Sequence, residues 1–142
     1  MTAASSNREQ ARTARLSPMW LLYGSDAGLL IASGLIHLNL WDIAYRHVKT
    51  LDWLFLAQVI LTLLTALVLL VTRHLLVIAG AAMLMAGTIT GFVLARAVGI
   101  FGFRLTFIST EAYAVLVVEA VAIIMLGITA WLRLRRRAGG RA

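Results

Sequence analysis

The sequence predicts an all-α fold, a four-helix transmembrane bundle with short loops, and three observations predict it. Of the 142 residues 61% are hydrophobic and only 13% charged, at a mean hydropathy of +0.91, far too apolar for a soluble domain with a wet surface. The apolar residues fall into four runs of roughly 20, the length a helix needs to cross a bilayer. The Lys and Arg residues lie at the two ends of the chain and in the short gaps between runs, where topology signals belong. The length leaves no room for a second folded domain.

Residues 1–17 are small, polar and basic with no apolar periodicity, so a disordered tail is expected. The run that follows is too long for a signal-peptide core, carries Asp26 and lacks a small-x-small cleavage site, so it reads as retained. Ser17 before Pro18 suits an N-cap followed by the first helical position, where proline loses no hydrogen bond. The first helix is expected over 18–41. Asp42 to Leu51 reads as a polar turn, and Asp52 is placed to cap a second helix over 53–71. Thr72 to His74 makes a tight turn. A third helix, 75–96, carries Gly80, Gly87, Gly91 and Ala95 near one face, a small-residue stripe expected to let a neighbouring helix come close. Ala97 to Thr110, with two glycines and three phenylalanines, reads as a loop in the headgroup zone. Ser109 or Thr110 is expected to cap a fourth helix over 111–132, with Glu111 complementing the dipole in its first turn. Residues 133–142 form a basic tail.

With four crossings both tails share a side. That side carries Arg8, Arg12, Arg15, Arg73, Arg133, Arg135, Arg136, Arg137 and Arg141, against Arg46, Lys49, Arg96 and Arg104 opposite, so both termini are expected in the cytoplasm. The Arg133 to Arg137 cluster is a stop-transfer flank first and an anionic-headgroup site second. No internal repeat is present. The net charge of +7 does not point to nucleic acid, because no basic folded face interleaved with aromatics carries it. Absence of cysteine excludes disulfide frameworks, thiolate metal sites, thiol nucleophiles and CxxC redox motifs. No phosphate loop, Ser/His/Asp set, HExxH or paired catalytic carboxylates occur.

Intramembrane ionisable groups are costly and so mark candidate sites. From a 1.5 Å rise per residue, His37 lies roughly 6 Å below the outer surface, Gln58 about 8 Å, Thr90 about 9 Å, and Thr88 and Glu119 about 12 Å. The four helices thus contribute to one polar layer, and His37 and Glu119 are expected to face the interior within reach of each other or of Gln58. Such groups can simply satisfy one another and fix which helices are neighbours, at about 0.6 kcal/mol per interhelical hydrogen bond. A haem site needs a second histidine at similar depth, and His47 and His74 lie in the outer loop and the inner turn. A metal site lacks a third ligand. A quinone carbonyl or a proton path needs only a histidine and a carboxylate. Asp26 is expected to pair with a snorkelling Arg133 or Arg73, and Arg96 with Glu111 across the third loop. Trp20, Tyr23, Trp41, Trp53 and Trp131 are placed as interfacial anchors.

The run "GLIHLNLWDIAYRHVKTLDWLFLAQ" (Gly34 to Gln58), followed by two more apolar spans and the "FGF" of Phe101 to Phe103, resembles small four-span membrane proteins of unknown function from high-GC Gram-positive bacteria. The resemblance extends from helix one through the third loop. It implies a plasma-membrane location and carries over no catalytic or binding residue. The function expected is that of a non-enzymatic accessory or assembly partner of a larger membrane complex, with a membrane-protein partner or a second copy of the chain on the glycine face. The alternative is a small lipophilic-ligand site, quinone-like, or a proton-handling site on His37 and Glu119. A solute transporter is disfavoured, since four spans without inverted repeats leave little room for alternating access.

The cysteine-free chain makes its topology directly testable. Cysteines introduced at Ser5 and Gly140 should resist a membrane-impermeant thiol reagent in intact cells, while one at Lys49 reacts; labelling of either tail overturns the orientation.

Overall fold

The computed structural model describes residues 18–106 and 109–139; the expected N-terminal tail and the Ser17 cap lie outside these. Among the described residues are four long helices, α1 (Pro18–Leu40), α2 (Leu51–Thr72), α3 (Leu75–Ala97) and α4 (Thr110–Gly139), each long and apolar enough to cross a membrane. The protein is an all-α bundle of multi-pass membrane type. Its outward faces carry Leu61, Leu64, Leu67 and Val71 on α2 and Val117, Val121, Ile124 and Ile128 on α4. Such surface is costly in water and matched in hydrocarbon, while every span keeps its backbone hydrogen bonds within itself.

The helices form a ring. α1 packs closely on α2 and α4, α3 on α4, and the α2–α3 seam is the loosest of the four. The core of Ala27, Leu30, Ala66, Leu69, Ile78, Ala81, Met85, Ala122 and Leu126 fills the half of the bundle nearest the first residue of α1 and the last of α4. The opposite, distal end carries the connections from α1 to α2 and from α3 to α4.

Several boundaries differ from those expected. α1 does not stop at Trp41 but runs on through one π-helical turn, Trp41–Tyr45, across which Asp42 and Arg46 pair at 2.9 Å. Asp52 does not cap α2. The N-cap position is Thr50, with no side-chain bond, and the Asp52 carboxylate instead accepts from the Trp41 indole N–H, tying the two ends of the connection together. α4 continues seven residues past Leu132, since Arg, Leu and Ala are strong helix formers and hydrogen bonding does not stop where hydrophobicity does. Ser109 caps α4 as expected, its hydroxyl accepting from the Ala112 N–H at 3.3 Å. Arg73 ends α2 in the left-handed conformation, and the His74 ring accepts from the Leu76 N–H at 3.3 Å to begin α3.

The glycine stripe of α3 is corrected too. A methyl group at Gly80, Gly87 or Gly91 would meet nothing within 4 Å, so these positions do not bring a helix of this chain close; at Gly34 of α1 it would lie 3.3 Å from Leu63 Cδ2 of α2. The close helix approach is therefore between α1 and α2. Of the stripe only Ala95 is buried, and its carbonyl accepts from the Leu105 N–H at 3.0 Å. That bond folds the α3–α4 connection back over the distal end, through a turn in which Gly99 takes a φ of 84°; there a side chain would also press on the Phe103 carbonyl at 3.1 Å.

Replacing Gly34 by Leu should cost about 1–3 kcal/mol through overpacking, read as a lowered melting temperature in detergent. Gly80→Leu should leave it unchanged. Equal effects would contradict the placement of the close seam.

Candidate functional site

One face of α1 carries Tyr23, Asp26, Ser33 and His37, spaced by three, seven and four residues, and so in register along the helix. α4 meets that face with Glu119, Thr129 and Arg133. Two polar clusters result. In the proximal one, Thr129 Oγ1 donates to Asp26 Oδ2 at 2.7 Å and Arg133 donates to the Tyr23 hydroxyl at 3.1 Å. Asp26 is therefore paired with a threonine, not with Arg133 or Arg73. The Arg73 guanidinium stacks on the Trp20 ring at 3.4 Å, and Tyr23 is buried in the core, not placed as an interfacial anchor. Trp20, Trp53 and Trp131 are half or more exposed, as anchors require, while Trp41 is half-buried against Asp52.

The distal cluster joins Ser33, His37 and Glu119, all buried. The Ser33 hydroxyl donates to Glu119 Oε1 at 3.2 Å. His37 Nδ1 lies 2.9 Å from the Ser33 carbonyl oxygen. A carbonyl only accepts, so Nδ1 carries the ring proton. The other nitrogen, Nε2, is 3.8 Å from Glu119 Oε1, beyond a hydrogen bond but well within Coulombic reach. Glu119 Oε2 has no partner among the described residues, and neither does the buried Nε2 of Gln58.

His37, Gln58 and Glu119 border a cavity of about 370 Å³ in the distal half, to which all four helices contribute. Its inner wall is His37 and Glu119; Phe55 and Gln58 of α2 and Gly87, Thr88, Gly91 and Phe92 of α3 form its sides. Tyr45, Ile100, Phe103 and Leu105 close it at the distal end. Tyr45 stacks on Phe55 at 4.4 Å and meets Phe103 edge-on at 5.8 Å, while the His37 ring sits 5.6 Å from Phe55. Exposed Leu54 and Met83, from the two sides of the loose α2–α3 seam, stand at its rim, so the cavity faces the lipid side of the bundle.

Of the five residues expected in the polar layer, His37, Gln58, Thr88 and Glu119 border this cavity and Thr90 does not. Thr90 is exposed, its hydroxyl turned back to the Ala86 carbonyl at 2.8 Å, because two residues along a helix rotate the side chain by about 200°. Thr88 likewise bonds its own helix, to the Leu84 carbonyl at 3.0 Å. Asn39, the other polar residue of that α1 turn, is exposed. Arg96 donates to the Leu105 carbonyl at 3.3 Å and makes no ion pair with Glu111. Sequence reasoning missed Ser33, although its position four residues before His37 places both on one face; it also missed the aromatic walls.

Comparison with family models, with curated proteins and with solved structures returns no match, so the chemistry of the site rests on its own geometry.

The Ser33 bridge predicts energetic coupling. In a double-mutant cycle of Ser33→Ala with Glu119→Leu, which removes the acceptor, measured as unfolding free energy in detergent, the two changes should be non-additive by at least about 0.5 kcal/mol. Strict additivity would separate the groups.

Proposed function

We propose that this multi-pass membrane protein binds a small lipophilic molecule from the bilayer, holding its apolar body between α2 and α3 and its polar head toward His37 and Glu119. The reading is non-enzymatic and places the protein in the plasma membrane with both termini cytoplasmic. The observation that carries it is a cavity of about 370 Å³ whose lining includes Glu119 and Gln58, two residues that each keep a buried polar atom without a partner among the described residues. Ligand sites combine these features: roughly 300–1,000 Å³, mostly apolar walls and a few convergent polar groups. A buried group without a partner costs about 1–3 kcal/mol, and an occupant that supplies hydrogen bonds recovers that cost.

A second reading, a role as accessory or assembly partner of a larger membrane complex, is favoured by Gly80, which lies outside the cavity and is exposed with open space above it. Small residues let a helix from another chain approach there. The two roles are compatible, because a subunit that holds a lipophilic ligand can deliver it to a partner.

Filling the cavity tests the first reading. Gly91 borders it with room for a side chain, so Gly91→Phe should fold with a melting temperature at or above that of the parent. Mass spectrometry of organic extracts from native-membrane nanodiscs should then find a stoichiometric lipophilic molecule with the parent chain and none with Gly91→Phe. Equal retention by both contradicts the reading.

A further inference from the structure

The charge on the cavity's inner wall constrains the class of molecule that enters. Glu119 is fully buried, with one oxygen held by Ser33 and the other without a partner among the described residues. Among the described residues no Lys or Arg borders the cavity, and the only other titratable residues that do are His37 from α1 and Tyr45 from the turn after it. α2 and α3 face it with Gln58 and Thr88, which do not titrate. The imidazole is a poor counter-charge: its Nδ1 proton is committed to the Ser33 carbonyl, and Nε2 stands 3.8 Å away. An ionised Glu119 is thus under-compensated by the protein, and in an apolar surround such a group takes up either a proton or a cation.

We infer that the cavity receives a lipophilic cation, an amine or onium head on an apolar body, which pairs with the Glu119 carboxylate among the rings of Tyr45, Phe55, Phe92 and Phe103. This rests on the ligand-binding reading of the same cavity and assigns the occupant's charge. The walls suit that class. Tyr45, Phe55 and Phe103 form a contiguous aromatic cluster, and the ring faces attract a cation that has shed its water. Opening between α2 and α3 lets a molecule dissolved in the bilayer arrive with its apolar body still in lipid. A neutral head, by contrast, leaves Glu119 to be neutralised by a proton and gains nothing from its charge.

One carboxylate serving both proton and cation makes them competitors. Cation affinity then rises with pH while Glu119 is protonated, by up to about tenfold per pH unit, and levels off once it is ionised. His37 acts in the same direction, since its protonation at low pH adds a repulsive charge beside the cation.

The experiment uses the full chain in lipid nanodiscs and methyltriphenylphosphonium, whose permanent charge leaves only the protein to titrate. The parent chain should bind it more tightly as pH rises. Glu119→Gln, which keeps an acceptor for Ser33, should lose at least about tenfold in affinity at alkaline pH and show a flat pH profile. Tyr45→Leu, on the cavity wall away from the polar cluster, should weaken binding several-fold with the pH dependence intact. Asp26→Asn, at the equally buried carboxylate outside the cavity, should bind as the parent does. Unaltered phosphonium binding by Glu119→Gln overturns the assignment. A short-chain naphthoquinone that binds the folded parent while the phosphonium does not overturns the charge class and leaves the cavity reading standing; binding of neither removes both.

Discussion

A carboxylate taken out of water into an apolar interior carries a penalty of several kcal/mol unless it is hydrogen-bonded, paired or protonated. Glu119 sets that constraint for this bundle, being fully buried in the distal half of α4. Its nearest support comes from α1, through the Ser33 hydroxyl and the His37 ring. Two helices 86 residues apart at this contact are thereby fixed in rotation and register, and the proximal Asp26–Thr129 bond fixes the same seam a second time. With α1 locked on α4 by polar contacts and on α2 by the close approach at Gly34, the slack in the ring falls on the α2–α3 seam.

That slack has the shape of a site. α3 presents Gly87, Thr88 and Gly91 toward the cavity, residues too small to fill it. The distal connection is pulled down over its end by the bond between Leu105 N–H and the Ala95 carbonyl. The volume is therefore walled by residues from every helix, closed toward the distal end by Phe103 and Leu105 and left open at the side. In a soluble protein such a lateral gap would face water. Here the neighbouring solvent is hydrocarbon, so the molecules with ready access are those that dissolve in it.

The helices were legible because a bilayer demands about 20 apolar residues per crossing, and apolar runs are visible in composition. Their ends were less so. Hydrophobicity reports where lipid stops, whereas the helix of α4 persists through Arg135, Arg136 and Arg137, residues of high helix propensity. Depth could be read from residue counts, which brought His37, Gln58, Thr88 and Glu119 to one layer; facing could not, and Thr90 shares the depth while pointing outward. The glycines of α3 show the same limit. Small-residue spacing says that a backbone can be approached, and says nothing of whether a neighbour is there. Gly34, with leucines four residues to either side, carried no such pattern and is the helical glycine on which a neighbouring helix closes, through Leu63. Ser33 escaped notice because an uncharged residue raises no alarm in a hydropathy profile, although it bonds both members of the pair that did.

The central claim is that Glu119 borders a cavity reached from lipid, a property distinct from burial, and Asp26 provides the internal control because it is equally buried and is not among the residues lining that cavity. A lipid-soluble carbodiimide converts a protonated carboxyl that it can reach into a stable N-acylurea, which peptide mass spectrometry locates. Treating the protein in lipid vesicles should modify Glu119 and spare Asp26. Modification of both to the same extent, or of Asp26 alone, would contradict the account.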